Sequence, residues 1–361
     1  MRAAVYHGPR DVRVEDVPEP RQPRTGELLL DVQLAAICGT DSSEFLHGPR
    51  FAPLTTRHPG SGHLGPIVLG HEFFGRVAAL GAGVEGFDVG QRVATGAGVW
   101  CGECDWCRAG RPNLCERYYT LGLHTDGGLA ERALVPAITC APVPDACSDR
   151  AAALAQPLAI ALHARDRAGV EPGASAMVIG VGGIGSFVVA ALHAAGSSPI
   201  VAVDVDARRL EVAERLGAHE SVLVDPTAVG VRSRVNADAV DVAIEASGTE
   251  AGLAHALAAV RRGGRILLVG QHYQPRSMDL LDLTLRELEV TTTLAHVCPQ
   301  NLPEALHLLA TTDLAEHVVD RVIDLGDLVE DGLIALAERR VQGKVLVEVA
   351  READPRLGDR G

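Results

Sequence analysis

Apolar positions follow two different patterns along this chain. Up to about residue 150 they fall in short runs, as at 27–34 and 75–80, broken by Gly and Pro. Such runs predict twisted, mostly antiparallel β structure with long loops. From Ser175 the apolar runs at 175–180, 199–204, 221–224, 240–245 and 264–269 predict strands, with helix-like segments such as 208–216 between them. That alternation implies a parallel, doubly wound sheet, so the fold class is α/β with a mostly-β first part. A helix at 303–310 and a strand at 344–349 follow, and 353–361 reads as a frayed polar tail.

With 361 residues the chain exceeds the size at which one core stops growing, so two domains are expected. Apolar residues make up 47% and charged residues 22%, which supports packed cores rather than long disorder. A formal net charge of −14 opposes attraction to nucleic acid or to an anionic membrane, and neither is expected as a partner. The first residues contain no apolar stretch of signal-peptide length, so a cytoplasmic location is expected. Between 172 and 203 there is no Asp, Glu, Lys or Arg, the kind of run that a membrane span also shows. Its glycines suit a buried strand, turn and helix better.

Those glycines are Gly180, Gly182, Gly183 and Gly185, around Val181 and Ile184. A glycine loop that follows a strand and opens a helix brings backbone N–H groups against a pyrophosphate. Alone the pattern is weak, since glycines also serve plain tight turns. Asp204 strengthens it by ending the next strand, where a carboxylate can accept from ribose hydroxyls. Asp204 and nearby Asp206 would repel a 2′-phosphate, so NAD is expected over NADP, although Arg208 and Arg209 work against that preference.

Cys101, Cys104, Cys107 and Cys115 place four thiols within fifteen residues. Two-residue spacers let a turn aim successive sulfurs at one ion, and four thiolates with no vacancy describe a structural zinc site. Disulfides are the weaker alternative in a chain without secretion signals. A nucleic-acid-binding zinc ribbon is disfavoured because Glu103, Asp105 and Glu116 balance Arg108, Arg111 and Arg117. Cys38 and the His71-Glu72 pair are dispersed candidates, and a lone buried Cys or His is usually structural.

Taken together, these residues resemble the zinc-containing medium-chain dehydrogenase/reductase family. Gly70-His71-Glu72 with Gly75, Gly81 and Gly83 matches its signature, and the resemblance continues through the cysteine cluster, 157–159, the glycine loop and Gly343-Lys344. The stretch 47–66 looks like the butanediol and polyol branch. The resemblance implies a GroES-like catalytic domain over 1–155 and 296–361, with a zinc lobe at about 96–118, and a Rossmann NAD-binding domain over 156–295. It implies two zinc ions per chain. Cys38 and His71 would bind the catalytic one, with Glu72 beside it or exchanging with it. Thr40 would receive the alcohol proton and Asp41 would orient His71. Arg209 would meet the adenosine ribose, Val269 the cofactor and Lys344 the pyrophosphate.

Two departures from the family stand out. Gln156 occupies the place where the polyol branch commonly has a zinc-binding Glu, and it either ligates through its amide oxygen or merely caps the helix near Pro157. Ser43 replaces the relay histidine, while His47, His58 and His63 read as solvent-exposed loop residues. Phe45, Trp100, Tyr118 and Leu121 are possible walls of a substrate pocket and equally plausible as core. The implied activity is interconversion of a secondary alcohol in a diol, polyol, sugar or cyclitol with its ketone, by a homodimer or homotetramer. The alternatives are an NAD(P)H-dependent reductase of carbonyls or activated double bonds with altered catalytic zinc, and a cofactor-binding protein whose catalysis has decayed.

Overall fold

A computed structural model describes residues 1–225 and 240–350. The polar tail expected at 353–361 lies outside the described residues. The chain divides into two compact units: Met1–Gln156, Val297–Ala315 and the stretch from Val319 make the first, and Pro157–His296 with Glu316–Val318 the second.

The hub of the first unit is the strand Glu27–Ala36, which pairs antiparallel with Glu72–Leu80, Arg132–Pro136 and Lys344–Glu348. Arg92–Thr95 and Cys140–Pro142 extend the sheet on one side and Val319–Asp324, parallel to Lys344–Glu348, on the other. Leu28, Leu30 and Val32 of the hub pack with Phe73, Val77, Val93 and Leu129 in one buried cluster, as period-two patterning requires. Phe45 and Leu121 belong to this cluster, so both serve the core. A smaller antiparallel sheet joins Asp11–Asp16, Arg2–Gly8 and Ile67–Val68.

Three glycines fix the segment just before His71. Gly70 has φ +96°, a region that L side chains rarely adopt. Its carbonyl accepts from the Gly128 N–H at 2.9 Å, flanked by Gly127 N to Val68 O and Leu129 N to Leu69 O, both 2.9 Å. A Cβ at Gly122 or Gly127 would lie 2.2 or 2.1 Å from that same carbonyl oxygen. The approach exists because no side chain is there.

The second unit is a six-stranded parallel sheet ordered Glu220–Leu223, Ile200–Asp204, Ala176–Ile179, Val240–Glu245, Val260–Leu268, Glu289–Thr292. The strand order reverses between Ala176–Ile179 and Val240–Glu245. Helices Gly183–Ala194, Ala207–Arg215 and Glu250–Ala259 connect the strands. Five strands match the apolar runs. The sixth, Glu289–Thr292, was not expected from the sequence because it is a largely exposed edge strand without an apolar run. The helix expected at 303–310 spans Cys298–Thr311 and begins earlier, with Pro299 in its first turn, where no N–H bond is lost. Among the described residues no helix is long and apolar enough to cross a membrane, and the uncharged 172–203 run holds the strand Ala176–Ile179 and the helix Gly183–Ala194.

The Gly70 contact predicts that Gly127→Ala lowers stability by about 1–3 kcal/mol, the cost of overpacking a site that cannot yield. A reduced urea midpoint is the expected result. An unchanged midpoint would mean that the loop has room.

Candidate active site and metal centres

In the cysteine lobe the four Sγ atoms of Cys101, Cys104, Cys107 and Cys115 lie within 4.8 Å of one another. The Cys104–Cys107 and Cys101–Cys107 separations of 3.5 and 3.9 Å are far beyond a disulfide bond, and all four cysteines are free. Backbone N–H groups point at the sulfurs: Cys104 to Cys101 at 3.4 Å, and Cys101 and Arg117 to Cys115 at 3.3 Å each. The Arg117 side chain does most to pull the Cys101 thiol down to about 6, whereas burial pushes Cys107 up to about 12. Sulfurs this close cannot all ionise unless a cation shares their charge, and a tetrahedral zinc takes four such donors.

The second donor set is Cys38, His71 and Glu72, whose ligating atoms also lie within 4.8 Å of one another. Cys38 precedes the helix Gly39–His47, and its N–H donates to Asp41 Oδ2 at 2.9 Å. His71 and Glu72 lie where the backbone leaves the glycine contact and enters the strand Glu72–Leu80. Asp41, fully buried, places Oδ1 3.3 Å from His71 Nδ1. That pair is close but not aligned as a hydrogen bond, since neither atom has a hydrogen-bond partner. Burial opposes charge on His71, yet Asp41 and Cys38 outweigh it and raise its pKa well above the usual value. With Nδ1 facing Asp41, Nε2 is the nitrogen left for a metal.

The Lys344 ammonium stands beside the same donor set: only 3% exposed, it donates to both Glu72 oxygens, at 2.7 and 2.5 Å, and lies 3.4 Å from the Ile37 carbonyl. Burial opposes its charge, but Glu72 and then Cys38 raise its pKa above the ordinary value. The sequence clue was its status as the chain's sole lysine.

Gln156 is buried in the first turn of Ala155–Ala168, and its Oε1 has no hydrogen-bond donor. Its oxygen therefore caps nothing, and a cation is a partner that such an acceptor takes. Thr40 Oγ1 lies 3.7 Å from Cys38 Sγ. Ser43 accepts from Arg50 at 3.1 Å, and His47 is exposed. His58 differs from the expectation: half-buried, it stacks on His124 at 4.4 Å between ring centroids while its Nδ1 accepts from the N–H groups of Gly60 and Ser61. Trp100 and Tyr118 are half-buried, and burial raises the Tyr118 hydroxyl to about 12.

In the second unit Gly182 caps the helix Gly183–Ala194, in which Ile184 and Gly185 form the first turn. Gly185 approaches the Gly180 carbonyl so closely that a Cβ there would lie 1.9 Å from its oxygen. Asp204 accepts from Val181 N at 2.9 Å, Val205 N at 2.8 Å and Asp206 N at 3.0 Å. Arg209 Nη1 stands 4.0 Å from Asp204 Oδ1 and 3.5 Å from where a Gly182 Cβ would be. Val269 donates to the Glu245 carbonyl at 2.8 Å, just past the end of its strand.

Comparison with known proteins agrees with this geometry. Residues 24–145 match the alcohol dehydrogenase GroES-like domain and 183–311 the zinc-binding dehydrogenase family. The chain is 33% identical to (R,R)-butanediol dehydrogenase of Bacillus subtilis over 353 residues, covering 96% of this chain and 99% of that one. It is 35% identical to sorbitol dehydrogenase of the same organism over 273 residues, 75% of each. The crystal structure of 2R,3R-butanediol dehydrogenase from Bacillus subtilis superposes with a TM-score of 0.86 at 32% identity, over 96% of this chain and 99% of that one.

Cys104→Ser opens the four-sulfur set, so it is expected to lower the melting temperature and release one metal ion per chain, because binding at such a site is coupled to folding. Unchanged melting with a selective loss of turnover would place these cysteines in the chemistry instead.

Proposed function

The chain belongs to the zinc-containing medium-chain dehydrogenase/reductase family, and we propose that it uses NAD to interconvert a secondary hydroxyl of a diol, polyol, sugar or cyclitol with its ketone. The observation that carries this reading is the convergence of half-buried Cys38 with buried His71 and Glu72, together with the partnerless Oε1 of Gln156. Intact Cys38 and His71 count against a reductase without catalytic zinc.

Cys38, His71 and Gln156 would hold a zinc ion, which would supply the Lewis acidity that lowers the pKa of a bound alcohol. The chain's own groups do the rest. Asp41 holds the His71 ring in place, and Lys344 holds Glu72 through both carboxylate oxygens. Thr40, beside Cys38, receives the alcohol proton. Because Gln156 is neutral where a Glu would be negative, less charge opposes loss of that proton. The Cys101, Cys104, Cys107 and Cys115 set would hold a second, structural zinc.

Gly180, Gly182, Gly183, Ile184 and Gly185 cradle the pyrophosphate, Asp204 and Arg209 meet the adenosine ribose, and Val269 lies against the cofactor. Asp204 favours NAD over NADP because a 2′-phosphate would face its negative charge. The protein works in the cytoplasm as a homodimer or homotetramer. Exposed Leu280, Leu281 and Leu285, at 69, 66 and 65%, support such an assembly by offering apolar surface on one short helix.

Steady-state kinetics with diols, sugars and cyclitols, using NAD and NADP in parallel, test the proposal. Wild-type kcat/KM is expected to be higher with NAD, and Asp204→Ser to lower the NAD value about tenfold or more, the worth of a hydrogen bond to a charged group. A wild-type preference for NADP would contradict the cofactor assignment, and no turnover of any secondary alcohol would contradict the activity.

A further inference from the structure

A further buried carboxylate lies at the carboxyl end of an interior strand of the parallel sheet, where the assigned functions do not use it. Glu245 ends the strand Val240–Glu245, next to the point where the strand order reverses, and is fully buried. Its Oε1 accepts from Ser247 N at 2.8 Å, Gly248 N at 2.9 Å and the Ser247 hydroxyl. Its Oε2 meets His272 Nε2 at 3.0 Å. The turn it holds lies against the glycine loop: a Cβ on Gly180 would come 2.8 Å from Ser247 N. Gly270 completes the cluster, since a Cβ there would stand 2.6 Å from Glu245 Oε2.

His272 has one nitrogen committed and one left over. Its side chain is 15% exposed, and Nδ1 is buried without a hydrogen-bond partner. A carboxylate on Nε2 selects the tautomer that carries the proton there, which leaves Nδ1 as an acceptor. Sheets with this strand order bind a dinucleotide across the reversal, one mononucleotide on each half. Asp204 lies on the half that takes adenosine, and Glu245 and His272 lie on the other.

We propose that His272, oriented by Glu245, accepts a hydrogen bond through Nδ1 from a hydroxyl of the nicotinamide-side ribose. This rests on the reading of the second unit as a dinucleotide-binding domain. Glu245 is the positioning residue and His272 the contact.

The test is equilibrium binding, read without turnover. Dissociation constants for NADH, ADP-ribose and ADP are measured on wild type, His272→Phe and His272→Ala by NADH fluorescence and its displacement. ADP-ribose keeps the second ribose, whereas ADP lacks it. NADH and ADP-ribose are expected to bind about 5- to 10-fold more weakly to both variants, the size of one lost hydrogen bond, while ADP binds as to wild type. Unchanged NADH binding in either variant would overturn the assignment. So would equal weakening of ADP, which would mean that the glycine loop had been disturbed. Failure of wild type to bind NADH would remove the dinucleotide reading itself.

Discussion

The first unit depends on pairing the polar and charged groups that it buries. Glu72 and Lys344 are both buried and pair with each other, and either alone would leave an uncompensated interior charge worth about 3–5 kcal/mol. The pair joins positions 272 residues apart and ties the strand Lys344–Glu348 to the strand that begins at Glu72. Asp41 and His71 form a neighbouring buried pair at the same donor set. The geometry that brings Cys38, His71 and Glu72 together is therefore also what makes their burial tolerable. Glycine at Gly70, Gly122 and Gly127 lets the backbones approach closely enough to hold that arrangement.

The second unit uses a related device at the carboxyl ends of its parallel strands. Asp204 and Glu245 each end a strand, are buried, and collect N–H groups from the turn that follows. Such turns would otherwise leave buried donors without partners, so one carboxylate both satisfies the backbone and sets a negative edge beside the glycine loop. Arg209 stands next to Asp204 and His272 next to Glu245, so each acid comes with one cationic or titratable neighbour.

Patterned features were legible in the sequence. The apolar runs located five strands of the parallel sheet, and the cysteine spacing announced a four-sulfur cluster, because both signals are local. What escaped was long-range or unpatterned. Glu289–Thr292 is an edge strand whose exposed Glu and Thr residues need no apolar run. The pairing of Lys344 with Glu72 escaped because the two lie 272 residues apart. The Glu245–His272 contact links two strand ends that only the sheet order brings side by side. His58 read as an exposed loop residue because nothing in its neighbourhood of sequence shows that His124 stacks on it.

Elemental analysis of the purified protein, repeated on Cys38→Ser, tests the central claim most directly. Two zinc ions per chain are expected in wild type and one in Cys38→Ser, since the cysteine lobe keeps its own ion. A single zinc in wild type that persists unchanged in the variant would show that Cys38, His71, Glu72 and Gln156 do not hold a metal, and would contradict the account.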